Sequence, residues 1–109
     1  MPVQLPVAIE RYVQIANSGA AEAASECFAP NAIVYDEGGT HEGLAAIRDW
    51  MTSTKKKYNH SVTPLEFMKH GDQSVLKARL AGNFPGSPIT VKFSFVLSGG
   101  KIRSLDIRS

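Results

Sequence analysis

Apolar residues recur every three or four positions through the first half of the chain, which is the spacing of one helix face. This spacing predicts a helix over residues 5–17 that buries Ile9 and Tyr12. A short alanine-rich helix is predicted at about 20–28, and a longer amphipathic helix at about 43–57. The first half of the chain is therefore predicted to be mainly helical.

After residue 60 the helical spacing of apolar residues ends, and apolar and polar residues alternate. This alternation is typical of strands with one buried face. We predict strands at about 60–70, 73–82, 88–98 and 101–108. Short glycine-containing turns separate them, so an antiparallel meander is expected. In the third strand Phe93 and Phe95 belong to a strongly apolar inner face, and Pro64 in the first strand predicts an edge strand or a bulge.

A short apolar strand, Ala32–Asp36, lies between the two halves, and Gly38-Gly39 ends it. Asp36 falls on the same face as Val34, so its carboxylate can be half buried, a setting that strengthens a base. The alternative is a turn aspartate that hydrogen-bonds nearby backbone. The predicted order of elements is helix, helix, strand, helix and then four strands. This order predicts an α+β fold in which a curved antiparallel or mixed sheet has three helices on its concave face. A small-molecule cavity is expected between the two layers.

Composition narrows the possible classes of function. The chain has 109 residues, enough for a single domain, and 43% of them are hydrophobic. A formal charge of +2 with dispersed basic residues argues against nucleic-acid binding, and no apolar run is long enough for a membrane span. Without a visible secretory leader, a cytoplasmic protein is expected. Cys27 is the single cysteine, which excludes an internal disulfide.

The histidines His41, His60 and His70 lack the spacing of a metal site, so no metal is expected. We predict surface or loop positions for all three. His41 comes soon after Asp36 and could alternatively reach the mouth of a pocket.

The element order, the length and several short segments of the chain resemble the nuclear-transport-factor-two-like superfamily. Within it, the chain is most similar to SnoaL-like or ketosteroid-isomerase-like domains. The matching segments are Arg11-Tyr12-Val13, Asn17-Ser18-Gly19, Cys27-Phe28-Ala29-Pro30-Asn31-Ala32, Asp36 and Glu42-Gly43-Leu44-Ala45-Ala46-Ile47-Arg48. The resemblance covers nearly the whole chain and implies one cone-shaped domain over residues 1–109 that forms a homodimer. The fold hosts enzymes and binding proteins alike.

The resemblance also implies a candidate site. Isomerases of this family combine an aspartate base with a tyrosine and a protonated carboxylic acid that hold the enolate oxygen. By position, the base falls on Asp36 and the tyrosine on Tyr12. The second acid falls at or beside Phe93, within Lys92-Phe93-Ser94, so that acid is absent. The position that supports the tyrosine in the family is Met51, which cannot hydrogen-bond strongly.

We therefore expect a small hydrophobic ligand and cofactor-independent proton abstraction next to a carbonyl, as in an isomerase or cyclase. Asp36 and Tyr12 are the predicted catalytic residues, and Asp106 is the alternative base. The alternative role for Tyr12 is packing in the hydrophobic core. The predicted ligand-binding residues are Trp50, Met51, Phe93 and Phe95. The competing hypotheses are a non-catalytic ligand-binding protein and a dimeric interaction domain that pairs through the outer face of the sheet.

Overall fold

The computed structural model describes residues 4–36 and 38–108. Within these ranges the helical elements are α1 (Val7–Ser18), a 3₁₀ helix (Ala21–Glu26) and α2 (Leu44–Tyr58). The strands are β1 (Phe28–Asp36), β2 (Gly39–Glu42), β3 (Ser61–His70), β4 (Gln73–Ala81), β5 (Ile89–Ser98) and β6 (Lys101–Arg108). The predicted α+β class, with its helices in the N-terminal half, is confirmed.

The described strands form one mixed sheet in the order β2-β1-β6-β5-β4-β3. Strands β3 to β6 pair as the predicted antiparallel meander, whereas β1 joins β6 in parallel and β2 in antiparallel fashion. Strand β3 lies at an edge, and its register shifts between Pro64 and Glu66. Both features that Pro64 predicted are therefore present, because a residue without an N–H interrupts the ladder of hydrogen bonds.

Two boundaries around β1 differ from the sequence prediction. The strand predicted at Ala32–Asp36 begins earlier, at Phe28, and the helix before it is a short 3₁₀ helix. Strand β2 was not predicted, because the sequence Gly39–Glu42 has no apolar alternation. It pairs with β1 so that His41 lies opposite Val34. Long-range pairing, rather than local preference, creates this strand.

The core lies between one face of the sheet and the helices. Helix α1 contacts β3 and β6, and α2 contacts β1 and β2. The amphipathic patterns predicted this layer, since the periodic apolar residues of both helices and of β4 and β5 are buried. Fully or almost fully buried side chains include Ile9, Phe28, Ile47, Leu76, Phe93 and Phe95.

Asn17 connects the end of α1 to the open edge of the sheet. Its side-chain Nδ2 donates to the carbonyl oxygen of Val62 at 3.0 Å, and its Oδ1 accepts from the Val62 N–H at 2.6 Å. The amide thus takes the place of a neighbouring strand beside β3. Replacing Asn17 by Ala is expected to lower the free energy of unfolding by about 1–3 kcal/mol, because both backbone groups lose their partner.

Chemical denaturation of Asn17→Ala measures this loss directly. Ser18→Ala is the control, since the neighbouring Ser18 hydroxyl contacts only the backbone of its own turn. An Asn17→Ala variant as stable as the wild type would show that the contact contributes nothing to stability.

Candidate active site

A cavity of about 330 Å³ lies between α2 and the sheet. This volume is near the lower end of the usual range for small-molecule sites. Most of the wall is apolar and comes from Val62, Leu80, Phe84, Ile89, Phe93 and Ile107. The polar side chains in the wall are Tyr12, Asp36, Trp50, Thr54, Tyr58 and His60. The cavity therefore suits a ligand with an apolar body and a few polar groups.

Asp36 enters the cavity at the end of β1, where Trp50 holds its carboxylate. The indole Nε1–H of Trp50 donates a hydrogen bond to Oδ2 of Asp36 at 3.0 Å. Helix α2 is set against β1 by the N–H of Gly43, which donates to the carbonyl oxygen of Ala32 at 2.8 Å. Trp50 follows about two helical turns later. Because an indole N–H can only donate, it fixes the orientation of the carboxylate in the wall.

His41 packs against the Trp50 ring system. The two rings are stacked, with centroids 5.8 Å apart and planes 29° apart. Strand β2 presents His41 beside α2, so the unpredicted strand supports the residue that holds Asp36. The sequence predicted a surface or loop position for His41, or alternatively the mouth of a pocket, and it predicted Trp50 as a ligand-binding residue. No local sequence pattern predicts the contact between His41 and Trp50, because the β1–β2 hairpin and α2 bring these two residues together.

Tyr12 lies on the buried face of α1 and is only 2% exposed. Its ring packs edge-on against Phe28 and Phe95 and at a tilt against Phe93, with centroid distances of 5.8, 5.7 and 6.1 Å. Burial raises the pKa of the Tyr12 hydroxyl well above its ordinary value, and the nearby negative charge of Asp36 raises it further. The hydroxyl therefore keeps its proton at neutral pH.

The four predicted ligand-binding residues divide into two groups. Trp50 and Phe93 line the main cavity. Met51 lines a separate small pocket of about 10 Å³, and Phe95 is fully buried, with its ring stacked 6.4 Å from that of Phe93. Phe95 lies deeper along the same strand face, under Tyr12, and Met51 is turned by one residue around α2 from Trp50. In the described part of the chain, Met51 and Phe95 therefore do not line the cavity that contains Asp36.

Asp106, the alternative base, does not line the cavity with Trp50 and Phe93, but it lines a more open pocket of about 450 Å³ together with Asp36. It pairs in register with Tyr35 of β1 and Ser94 of β5, on the face of the sheet opposite to Phe93 and Phe95. Its carboxylate forms an ion pair with Arg108 at 3.1 Å. Asp36 is the aspartate whose side chain lines the cavity among the described residues.

His60 lies in a loop, as predicted, in the short connection between α2 and β3, but it is partly buried. His60 is part of the cavity wall, and its Nδ1 is buried without a hydrogen-bond partner among the described residues. Burial lowers the pKa of His60, the charge of Lys55 lowers it further, and the backbone carbonyl of Thr54 acts in the opposite direction. The imidazole is therefore uncharged at neutral pH. Its position follows from the close packing of β3 against β4, for which the isolated sequence gives no signal.

No three His, Cys, Asp or Glu side chains in the ranges 4–36 and 38–108 are grouped closely enough to hold a metal ion. None of the helices in these ranges has the length and apolar character of a membrane-crossing helix.

The structure is an α+β domain with a cavity between its helices and its sheet, and sequence comparison identifies its family. The family model described as a SnoaL-like domain matches residues 9–105. The chain therefore belongs to the SnoaL-like family, within the nuclear-transport-factor-two-like superfamily. Among curated proteins, none matches the sequence.

Solved structures give the same assignment. A candidate polyketide cyclase from Sinorhizobium meliloti is 38% identical, covers 95% of each chain and superposes with a TM-score of 0.91. A protein of ketosteroid isomerase-like fold from Catenulispora acidiphila, solved with trimethylamine, has 20% identity and a TM-score of 0.85 over 97% of this chain and 87% of its own. An NTF2-like protein of unknown function from Cytophaga hutchinsonii has 19% identity and a TM-score of 0.77, over 98% and 92%. At identities this low, the last two show the fold alone.

Proposed function

We propose that the protein binds a small apolar carbonyl compound and that Asp36 abstracts a proton from the carbon next to the carbonyl. The reaction is a cofactor-independent isomerisation or cyclisation. The observation that carries this proposal is the hydrogen bond from the Trp50 indole to the Asp36 carboxylate, inside a mainly apolar cavity that Tyr12 also lines. A base and a hydrogen-bond donor placed at one cavity are the minimum set for enolisation.

The reaction begins when the Asp36 carboxylate takes the proton and the C–H bonding electrons form the enolate. Negative charge develops on the carbonyl oxygen, where the protonated Tyr12 hydroxyl donates a hydrogen bond. If Asp36 returns the proton to another carbon of the conjugated system, the product is an isomer. If the enolate carbon attacks a second carbonyl of the same molecule, a ring closes and that second oxygen takes up a proton.

The absence of a second oxyanion donor restricts the substrates that this site would serve. Phe93, at the position where related isomerases have an acid, lines the cavity with an apolar ring. With one donor, transition-state stabilisation is weaker than in a site with two. We therefore favour substrates whose C–H bond is already acidified, such as a carbon between two carbonyl groups. One similar structure, from Sinorhizobium meliloti, is named as a candidate polyketide cyclase, which agrees with this class.

Deuterium exchange tests the proposal without knowledge of the natural substrate. 2-Tetralone is a small apolar ketone whose C1 protons exchange through its enol, and proton NMR in D₂O measures their loss. We expect the protein to accelerate this exchange over buffer alone. Binding of 2-tetralone without faster exchange would instead support the non-catalytic ligand-binding function.

We also propose that the protein is a homodimer that pairs through the outer face of the sheet. On this face Tyr35 is 43% exposed, and Val96 and Ser94 lie nearby on β5. A buried charge there is unfavourable, so Tyr35→Glu is expected to shift a dimer towards monomer in sedimentation equilibrium. Ser53→Glu, at an exposed position of helix α2 on the other side of the sheet, is the control. Wild-type protein that sediments as a monomer at high concentration would contradict the proposal.

A further inference from the structure

Asp36 determines the charge of the cavity between α2 and the sheet. Of the described residues that line this cavity, Asp36 is the only aspartate or glutamate, and none is a lysine or an arginine. Burial and the charge of Lys55 lower the pKa of His60, so this imidazole is uncharged at neutral pH. Tyr12 keeps its proton, because burial raises its pKa. With Asp36 ionised, the described wall favours a cation over an anion.

Three aromatic side chains lie close to the Asp36 carboxylate. Trp50 donates its indole N–H to Oδ2 of Asp36 at 3.0 Å. After burial, the charge of Asp36 is the next cause of the raised pKa of Tyr12, so these two groups lie within electrostatic reach. Phe93 packs against Tyr12 with ring centroids 6.1 Å apart. All three aromatic residues line the cavity, and aromatic rings of this kind attract cations, quaternary ammonium groups above all.

Two lysines at the end of α2 act outside this part of the wall. The Nζ of Lys55 donates to the carbonyl oxygen of His60 at 2.5 Å, and its side chain lines a separate pocket of about 10 Å³. The ammonium of Lys57 lies 5.1 Å from the centroid of the Tyr58 ring. A cationic ligand next to Asp36 therefore displaces no lysine of the described wall.

We propose that the Asp36 end of the cavity also binds alkylammonium cations, in which apolar groups surround a positively charged nitrogen. The nitrogen lies beside the Asp36 carboxylate, and the apolar part of the ligand extends along Leu80 and Ile89, which line the same cavity. A quaternary ammonium suits this wall better than a primary one, because it has no N–H groups that need partners in apolar surroundings.

Binding of such a cation requires the charge of Asp36 and the neighbouring rings, so it does not rest on the proposed proton abstraction. A consequence for activity does rest on that function: a cation held beside Asp36 occupies the place of the carbonyl ligand and inhibits the base.

The test compares phenyltrimethylammonium with tert-butylbenzene, which has the same shape and no charge. Trp50 is the only tryptophan of the chain, so tryptophan fluorescence reports binding at this cavity. We expect the wild type to bind phenyltrimethylammonium about 10- to 100-fold more tightly than Asp36→Asn does. Both proteins should bind tert-butylbenzene equally. Asp49→Asn is the matched control and should behave as the wild type, since it removes the same charge at an exposed position of α2 beside Trp50.

Proton NMR of the unmodified protein gives a second measurement, which stands even if Asp36→Asn fails to fold. The single indole N–H resonance should shift with phenyltrimethylammonium, because Trp50 donates to the carboxylate that the cation approaches. An unchanged resonance would overturn the inference.

The two other results that would overturn it concern charge. One is an equal effect of Asp36→Asn on the affinities for phenyltrimethylammonium and tert-butylbenzene. The other is tighter binding of benzoate than of phenyltrimethylammonium by the wild type. Neither result changes the deuterium exchange of 2-tetralone, so this inference and the proposed function fail independently.

Discussion

Replacing Asp36 by Asn is expected to slow the protein-catalysed deuterium exchange of 2-tetralone by about 10²–10⁴-fold, the usual contribution of a positioned general base. Asparagine has nearly the same shape as aspartate, and its amide oxygen can still accept the hydrogen bond that Trp50 donates to Oδ2 in the wild type. The variant therefore keeps the geometry of the wall and loses the proton acceptor.

The affinity for 2-tetralone separates loss of chemistry from loss of the pocket. We expect Asp36→Asn to bind 2-tetralone about as tightly as the wild type, because the apolar lining is unchanged. Asp106→Asn is the matched control, since Asp106 lies on the other face of the sheet in an ion pair with Arg108. Undiminished exchange by Asp36→Asn, or its loss in Asp106→Asn, would show that Asp36 is not the base.

Most of the fold follows from local periodicity. The alternating residues of β4 and β5 and the helical spacing in α1 and α2 predicted these elements closely, because one buried face per element imposes a regular pattern. Pro64 predicted an edge strand or a bulge for the same local reason. Strand β2 escaped prediction, since its four residues form a strand only through pairing with β1.

The candidate site was predictable only in part. The position of Asp36 at the end of an apolar strand and that of Tyr12 on a helix stripe are local features, and the family resemblance gave each a role. The contact of the Trp50 indole with Asp36 and its stacking on His41 depend on how α2 and β2 meet β1. The burial of His60 depends on the fit between Gly82 and the start of β3. Such contacts join residues that are distant in sequence, and no spacing rule anticipates them.

Replacing Tyr12 by Phe is expected to reduce exchange by about 10²–10³-fold, the cost of removing one donor from an oxyanion site. Phenylalanine keeps the packing of the ring on Phe28, Phe93 and Phe95, so only the hydroxyl is lost. Deuterium exchange of 2-tetralone and thermal denaturation are measured on the same preparation, which separates a loss of catalysis from a loss of stability. Tyr35→Phe is the matched control, because Tyr35 is an exposed tyrosine on the outer face.

The pH dependence of exchange distinguishes donation by Tyr12 from a purely structural role. Burial and the charge of Asp36 raise the pKa of Tyr12, so the hydroxyl stays protonated as pH rises through about 10, where an ordinary tyrosine ionises. The wild-type advantage over Tyr12→Phe is therefore expected to persist up to that pH. If the rate advantage of the wild type disappeared near pH 10, the Tyr12 hydroxyl would have the pKa of a solvated tyrosine. If the wild type and Tyr12→Phe had equal exchange rates at every pH, the role of Tyr12 would be packing alone. Equal rates would contradict the proposed role, whereas loss of the advantage near pH 10 would contradict only the burial of the hydroxyl, because a tyrosine with an ordinary pKa still donates at neutral pH.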